Sequence, residues 1–176
     1  MAEKTVHRIV ILGAGYAGLL SALRLANQTR RANVEITLIN AIATFTERIR
    51  LHQVIVGQKL KQHPIEKILK GTGIQFVQAK VTAIAPDSHS LTLQAADGER
   101  TLSYDTLVYA LGSRTNTALI SGAADYAVTL DAPMTWTDRL KTIAERGGKI
   151  VVIGGGLTGL EAASEIAETY PTANVH

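Results

Sequence analysis

Short apolar runs alternate with amphipathic stretches through the first part of the chain. Ile9 to Leu12 is an unbroken apolar run, the pattern of a strand buried on both faces. Leu19 to Asn27 repeats its apolar residues at helical spacing, and Val34 to Ile39 predicts a second strand. Pro64 opens a further helical stretch that Gly71-Thr72-Gly73 ends, and Ile74 to Gln78 predicts a third strand. The period then changes. Lys80–Ala85, His89–Ala95 and Glu99–Ser103 predict three short strands, separated by Pro86-Asp87-Ser88 and Ala96-Asp97-Gly98. The Asp-Gly step is a hairpin signal, so these three form an antiparallel meander. Tyr104 onward is an apolar strand ending on Gly112-Ser113. Ala132 to Glu145 predicts a helix with Trp136, Leu140 and Ile143 on one face, stopped by Gly147-Gly148. Ile150 to Ile153 is again a buried-strand run, and Leu160 to Thr169 again an amphipathic helix. Strands alternating with helices predict an α/β fold.

The last two elements repeat the first two. Residues 8–35 and 149–176 align without a gap, and 11 of the 28 positions are identical, including Ala32-Asn33-Val34 against Ala173-Asn174-Val175. Composition alone would give roughly two. Each copy carries Gly-x-Gly-x-x-Gly between an apolar strand and an amphipathic helix: Gly13, Gly15 and Gly18, then Gly154, Gly156 and Gly159. In a dinucleotide-binding turn the first glycine permits the tight turn, the second lets a pyrophosphate approach the backbone, and the third lets helix and strand pack closely. The helix N-terminus then offers N–H groups and its positive dipole end to phosphates. An acidic residue is expected about 20 residues further on, to hold ribose hydroxyls. In the first copy that position is Asn40, which can donate and accept hydrogen bonds but brings no charge. The same offset puts its counterpart in the second copy beyond His176, so the choice between NAD and NADP is not written in this chain.

Composition narrows the chemistry. A hydrophobic fraction of 46% and a charged fraction of 19% are ordinary for a globular α/β protein. A net charge of +3 is too small to argue for nucleic acid, and the basic stretch Lys59 to Lys70 is broken by His63, Pro64 and Glu66 and reads as a solvated helix face. No apolar run approaches the roughly 18 residues of a membrane span, and the first strand begins where a signal peptide would lie. A cytoplasmic protein is expected, with any association at the cytoplasmic face of a membrane left to sequence beyond His176. The chain has no cysteine, which removes a redox disulfide, a thiolate nucleophile and a thiolate metal site from these residues. Its five histidines, at 7, 52, 63, 89 and 176, lack metal-ligand spacing.

Taken in order, these parts are identifiable. The Gly13-x-Gly15-x-x-Gly18 turn, the meander, Tyr104-Asp105-x-Leu107-Val108-x-Ala110-x-Gly112-Ser113 and Gly154-x-Gly156-x-x-Gly159-x-Glu161 together resemble the FAD-dependent pyridine-nucleotide oxidoreductases over nearly the whole chain. The cysteine-free segment Thr46-Glu47-Arg48-Ile49-Arg50-Leu51-His52-Gln53 looks like the branch similar to type II NADH dehydrogenases, since disulfide reductases carry paired cysteines in this region. The resemblance implies a Rossmann-like FAD-binding domain with an inserted antiparallel meander over residues 1–115, followed over 116–176 by a connecting helix and the start of a second Rossmann-like domain for NAD(P)H. It implies an N-terminal portion of a protein of roughly 350–450 residues, without the late Gly-Asp segment of the FAD site. By position, Gly13, Gly15 and Gly18 would face the FAD pyrophosphate, and Asn40 would stand at the ribose. The Val81 backbone would meet the adenine. Ala110 and Gly112 would lie beside the cofactor, although Leu111 replaces the usual threonine. Gly154, Gly156 and Gly159 would take NAD(P)H. Arg48 and Arg50 are candidates for FAD phosphates against a reading as solvated arginines. His52 is a candidate for the flavin edge. Glu161 is the one catalytic candidate, near nicotinamide and flavin, against a reading as a first-turn acid favoured by the helix dipole.

Two functions follow from the resemblance. One is an enzyme passing hydride from NAD(P)H to FAD and electrons on to a quinone or another small non-thiol acceptor. The alternative is a non-catalytic FAD/NAD module acting through redox-dependent interaction, as in the apoptosis-inducing-factor-like relatives. The repeated strand-helix unit at 149–170 is expected to lack a sheet to join, leaving Ile150–Ile153 and the Leu160, Ala163 and Ile166 face open. That would promote association into a homo-oligomer, weak FAD binding and little NAD(P)H binding by these residues alone.

Overall fold

The computed structural model describes residues 5–132 and 136–176. In chain order the elements are β1 (His7–Leu12), α1 (Tyr16–Gln28), β2 (Val34–Asn40), β3 (Thr44–Phe45), α2 (Leu51–Ile55), β4 (His63–Pro64) and α3 (Ile65–Leu69). They continue with β5 (Gln75–Gln78), β6 (Lys80–Ala85), β7 (Ser90–Ala95), β8 (Gly98–Ser103), β9 (Thr106–Tyr109) and α4 (Ala123–Tyr126). The last are α5 (Thr137–Glu145), β10 (Lys149–Ile150), α6 (Leu157–Thr169) and β11 (Asn174–Val175), with single 3-10 turns at Arg48–Arg50 and Thr117–Leu119. The chain divides into two compact units, one running to Thr46 and including Gln62–Gly112, the other Glu47–Lys61 with Ser113–His176. No helix among the described residues is long and apolar enough to cross a membrane.

The first unit is built on a parallel sheet in the order β5-β2-β1-β9. Successive side chains of β1 point to opposite faces. Ile9 and Ile11 join Leu19, Ala22 and Ala26 of α1 and Ile65 and Leu69 of α3 in one core. Val10 and Leu12 join Leu91, Leu93 and Tyr104 in another, under the antiparallel meander β6-β7-β8. Both faces are covered, which is why β1 reads as a continuous apolar run. The hairpin between β7 and β8 turns on Ala96 and Asp97, with Gly98 at φ +125° already opposite Ala95. The glycine expected inside that turn is thus the first strand residue, where a left-handed backbone is needed to start β8. The Lys59–Lys70 stretch is only partly helical, α3 being five residues; its lysines are exposed as expected, while Ile65 and Leu69 are buried.

The second unit packs Ile55, Val56 and Ile166 with Leu130, Leu140, Ile150, Val152, Tyr170 and Val175. Residues 47–61, placed by sequence in the first domain, belong here because α2 brings Ile55 and Val56 to this core. The helix expected from Ala132 begins at Thr137, while Pro133 to Thr135 lie outside the described residues. Gly147, at φ +66°, ends it as expected: its N–H reaches the Ala144 carbonyl and the next N–H reaches Ile143. The repeated unit does find a sheet, contrary to expectation. β11 lies parallel to β10 in the register Lys149↔Asn174 and Ile150↔Val175, extended by the Val152 N–H to the His176 carbonyl at 2.7 Å. Two residues of the strand pair rather than the four expected. Ile166, expected to be open, is 4% exposed against Ile55 and Val56, whereas Ile153 is 81% exposed.

Candidate functional site

Both glycine turns fold alike, each within its own unit. Gly15 caps α1 at φ −75°, ψ −171°, and Gly156 caps α6 at φ −78°, ψ 174°. The first intrahelical bond follows in each, from Leu19 N–H to Gly15 O at 2.9 Å and from Leu160 N–H to Gly156 O at 3.1 Å. Neither helix has a side-chain cap or an acidic residue in its first turn. The first-turn N–H groups therefore converge at open helix ends with no carboxylate in competition.

The three glycines of each turn have different causes. A Cβ on Gly18 would lie 1.8 Å from the Gly13 carbonyl oxygen, and one on Gly159 1.8 Å from that of Gly154. Helix and strand are in contact there, and only glycine fits. Gly13 and Gly154 have φ of +94° and +125°, and a Cβ on Gly13 would also fall 2.4 Å from the Ala110 carbonyl oxygen. Gly15 and Gly156 are different: their backbones suit any residue, and a Cβ on either meets nothing within 4 Å. The protein itself gives no reason for glycine at those two positions. An open cradle in front of uncapped N–H groups is what a bound pyrophosphate requires, and the residues present fit such a group.

Asn40 ends β2 beside the first turn. Its Oδ1 accepts the Ala14 N–H at 3.0 Å and its Nδ2 donates to the Ile42 carbonyl at 2.8 Å, while Gly13 N–H bonds the Ile39 carbonyl at 2.8 Å. The side chain read as a ribose ligand is thus also bonded to the glycine turn. Ala110 directly follows β9, its N–H on the Leu12 carbonyl at 2.9 Å, and its methyl would lie 3.3 Å from a Cβ on Gly18. Gly112, at φ +75°, turns the chain out of this unit. Val81 is the second residue of β6, opposite Leu93, at a bulge in the meander. Arg8 and Asp105 brace the start of the sheet: Asp105 Oδ2 accepts the Arg8 backbone N–H at 2.7 Å, and the guanidinium donates to both oxygens. These bonds from Arg8 lower the Asp105 carboxyl to about 2.

The remaining candidates sit in the second unit. Arg48 Nη2 is 2.5 Å from Asp131 Oδ1, and the other Asp131 oxygen accepts the Thr115 N–H at 2.6 Å. Burial raises the Asp131 carboxyl, but Thr115 and Arg48 more than offset it, leaving it below its ordinary value. Arg50 bonds Glu47 and Gln53. Both arginines, each nearly half exposed, pair with side chains of their own unit. His52 faces two carboxylates of α6, with Nδ1 3.6 Å from Glu161 and Nε2 4.0 Å from Glu165, and Gln58 donates to Glu165 at 2.5 Å. Glu161 lies past the first turn of α6, so the helix dipole does not account for it. A cavity of about 920 Å³ opens beside the second turn, lined by Leu140, Ile150, Val152, Gly154, Gly159 and Ile166 among others. Arg139 stacks 4.6 Å over the Trp136 ring at its wall. The Arg48–Asp131–Thr115 bridge and the carboxylates around His52 are not legible in the sequence, since no local spacing signals partners so far apart in the chain.

The profile of the pyridine nucleotide-disulphide oxidoreductases matches residues 7–175. The chain is 30% identical over 180 residues to a type II NADH:quinone oxidoreductase of Staphylococcus haemolyticus, a match that covers 93% of this chain and 44% of the relative. It is 31% identical over 173 residues to the demethylphylloquinone reductase NdbB of Synechocystis sp., covering 92% and 43%. The chain thus spans less than half the length of the curated relatives it matches. Among solved structures it resembles NDH2 from Plasmodium falciparum with a TM-score of 0.79 at 21% identity, over 97% of this chain and 41% of that one.

Proposed function

Since this chain belongs to the pyridine nucleotide-disulphide oxidoreductase family, we propose that it carries the FAD site and the beginning of the NAD(P)H site of a flavoprotein that takes hydride from NAD(P)H and reduces a quinone. The observation that carries this reading is the pair of unexplained glycines. Gly15 and Gly156 are demanded neither by backbone angle nor by packing, so a ligand in front of each uncapped helix accounts for them. The first unit would hold FAD over Gly13, Gly15 and Gly18, with Ala110 beside it and Val81 at the adenine. The second would hold NAD(P)H over Gly154, Gly156 and Gly159.

When bound, the flavin supplies hydride acceptance and onward electron transfer. The residues of this chain bind and orient: the N–H groups at the α1 and α6 termini take phosphate oxygens, and the glycines keep side chains out of their way. Glu161 would stand on the helix that follows the second turn, with His52 Nδ1 3.6 Å from its carboxylate. The chain contributes no thiol, so electrons leave to a non-thiol acceptor unless cysteine lies elsewhere in the protein. The names of the two curated relatives favour a quinone.

Steady-state NADH oxidation with a water-soluble quinone, run beside a disulfide substrate, tests this. Quinone reduction without disulfide reduction is expected. A flavin-loaded protein that turns over with neither would instead support a non-catalytic nucleotide-binding module.

A further inference from the structure

Position 40 is where a dinucleotide fold keeps an acid for the ribose, and the structure gives its side chain other bonds. The Asn40 carboxamide joins two backbone groups that need opposite partners. Ala14 N–H needs an acceptor and finds Oδ1 at 3.0 Å, while the Ile42 carbonyl needs a donor and finds Nδ2 at 2.8 Å. Ala14 lies inside the glycine turn, between Gly13 and Gly15, and Ile42 lies just past the end of β2. The neighbouring bonds, Gly13 N–H to Ile39 O and Ala79 N–H to Asn40 O, tie the same stretch of β2 to the turn on one side and to the strand before the meander on the other. A carboxylate can only accept, and an aliphatic side chain can do neither. Asn is the short side chain that serves both groups.

We propose that Asn40 is a positioning residue, a latch that holds the first glycine turn in its pyrophosphate-accepting shape before any nucleotide arrives, and not chiefly a ligand of the ribose. Affinity at this site then comes from preorganisation of the turn, which spares the bound state the cost of ordering it. The inference rests on the reading that the first turn takes a dinucleotide, and it makes a prediction opposite to that of the motif. If position 40 serves the ribose, Asn40→Asp restores the usual acid and strengthens binding. If it is a latch, Asn40→Asp keeps the bond to Ala14, turns an acceptor against the Ile42 carbonyl, and weakens binding.

The test compares two probes on the cofactor-free protein, ADP and an ADP whose ribose lacks both hydroxyls, in wild type, Asn40→Asp and Asn40→Ala. The latch predicts that each variant binds both probes more weakly by the same factor, about fivefold or more for the loss of one such hydrogen bond. A loss confined to ADP, or an Asn40→Asp variant that binds ADP more tightly than wild type, overturns it. Hydrogen exchange in the wild type needs no variant to fold: the Ala14 amide should be protected in the absence of nucleotide, and fast exchange there refutes the latch. Should the wild type bind neither probe, the nucleotide reading of the turn fails, while Ala14 protection still decides the latch.

Discussion

Adding one methyl group to Gly15 should separate ligand binding from folding. The backbone there is extended at φ −75° and a Cβ meets nothing within 4 Å, so Gly15→Ala costs the protein no contact. Restricting the unfolded chain stabilises by about 0.4–1 kcal/mol, and losing glycine for alanine at a helix cap costs a similar few tenths to about 1 kcal/mol. The stability of the cofactor-free protein should therefore be unchanged within about 1 kcal/mol. The bound pyrophosphate would occupy the space the methyl fills. Overpacking of one methyl costs about 1–3 kcal/mol, a loss of roughly 5- to 150-fold in FAD affinity. Flavin-fluorescence titration gives the affinity, and urea unfolding of the cofactor-free protein gives the stability. Unchanged FAD affinity, or a destabilised apoprotein, would refute the reasoning that glycine is kept here for a ligand.

The third glycines should behave in the opposite way. Gly18→Ala and Gly159→Ala drive a methyl to 1.8 Å from a backbone carbonyl oxygen and should destabilise the cofactor-free protein by about 1–3 kcal/mol or more in urea unfolding, and an unaffected midpoint contradicts the packing account. Arg48→Ala should leave FAD affinity unchanged, since the guanidinium is already held by Asp131, and a large loss in flavin titration would return it to the phosphate. Asp105 has a folded value depressed to about 2, below the roughly 3.9 of an unfolded chain. Its stabilisation is present above the unfolded value and is lost as pH falls through about 2, so the wild-type advantage in thermal midpoint over Asp105→Asn should shrink between about pH 4 and 2. An advantage independent of pH would exclude the Arg8 pairing as its source.

The parts of the fold written most plainly in the sequence are those with a local physical cause. The run Ile9 to Leu12 reads as a doubly buried strand because α1 and the meander cover its two faces. The spacing of Gly13, Gly15 and Gly18 marks a turn because Gly13 takes a positive φ and Gly18 packs against the Gly13 carbonyl, while Gly15 leaves open space at the helix end. What stayed hidden depends on distant partners. Ile166 is buried against Ile55 and Val56, far earlier in the chain, which its helical spacing alone does not reveal. Arg48 carries no local mark of its partner Asp131, far along the chain. Asn40 looks like a weakened ribose ligand because the motif prescribes an acid there, and only the structure shows that its amide reaches Ala14 and Ile42.

Anaerobic reduction of the intact protein addresses two nucleotide sites in one electron path most directly. The protein would be purified, its flavin identified and counted after release, and NADH or NADPH added in small increments without oxygen. The account predicts one FAD per chain, bleaching of the oxidised flavin band as pyridine nucleotide is added, and recovery of that band when a quinone is admitted. Protein that carries no FAD and takes none up on reconstitution, or FAD that stays oxidised in excess NADH and NADPH, would contradict it.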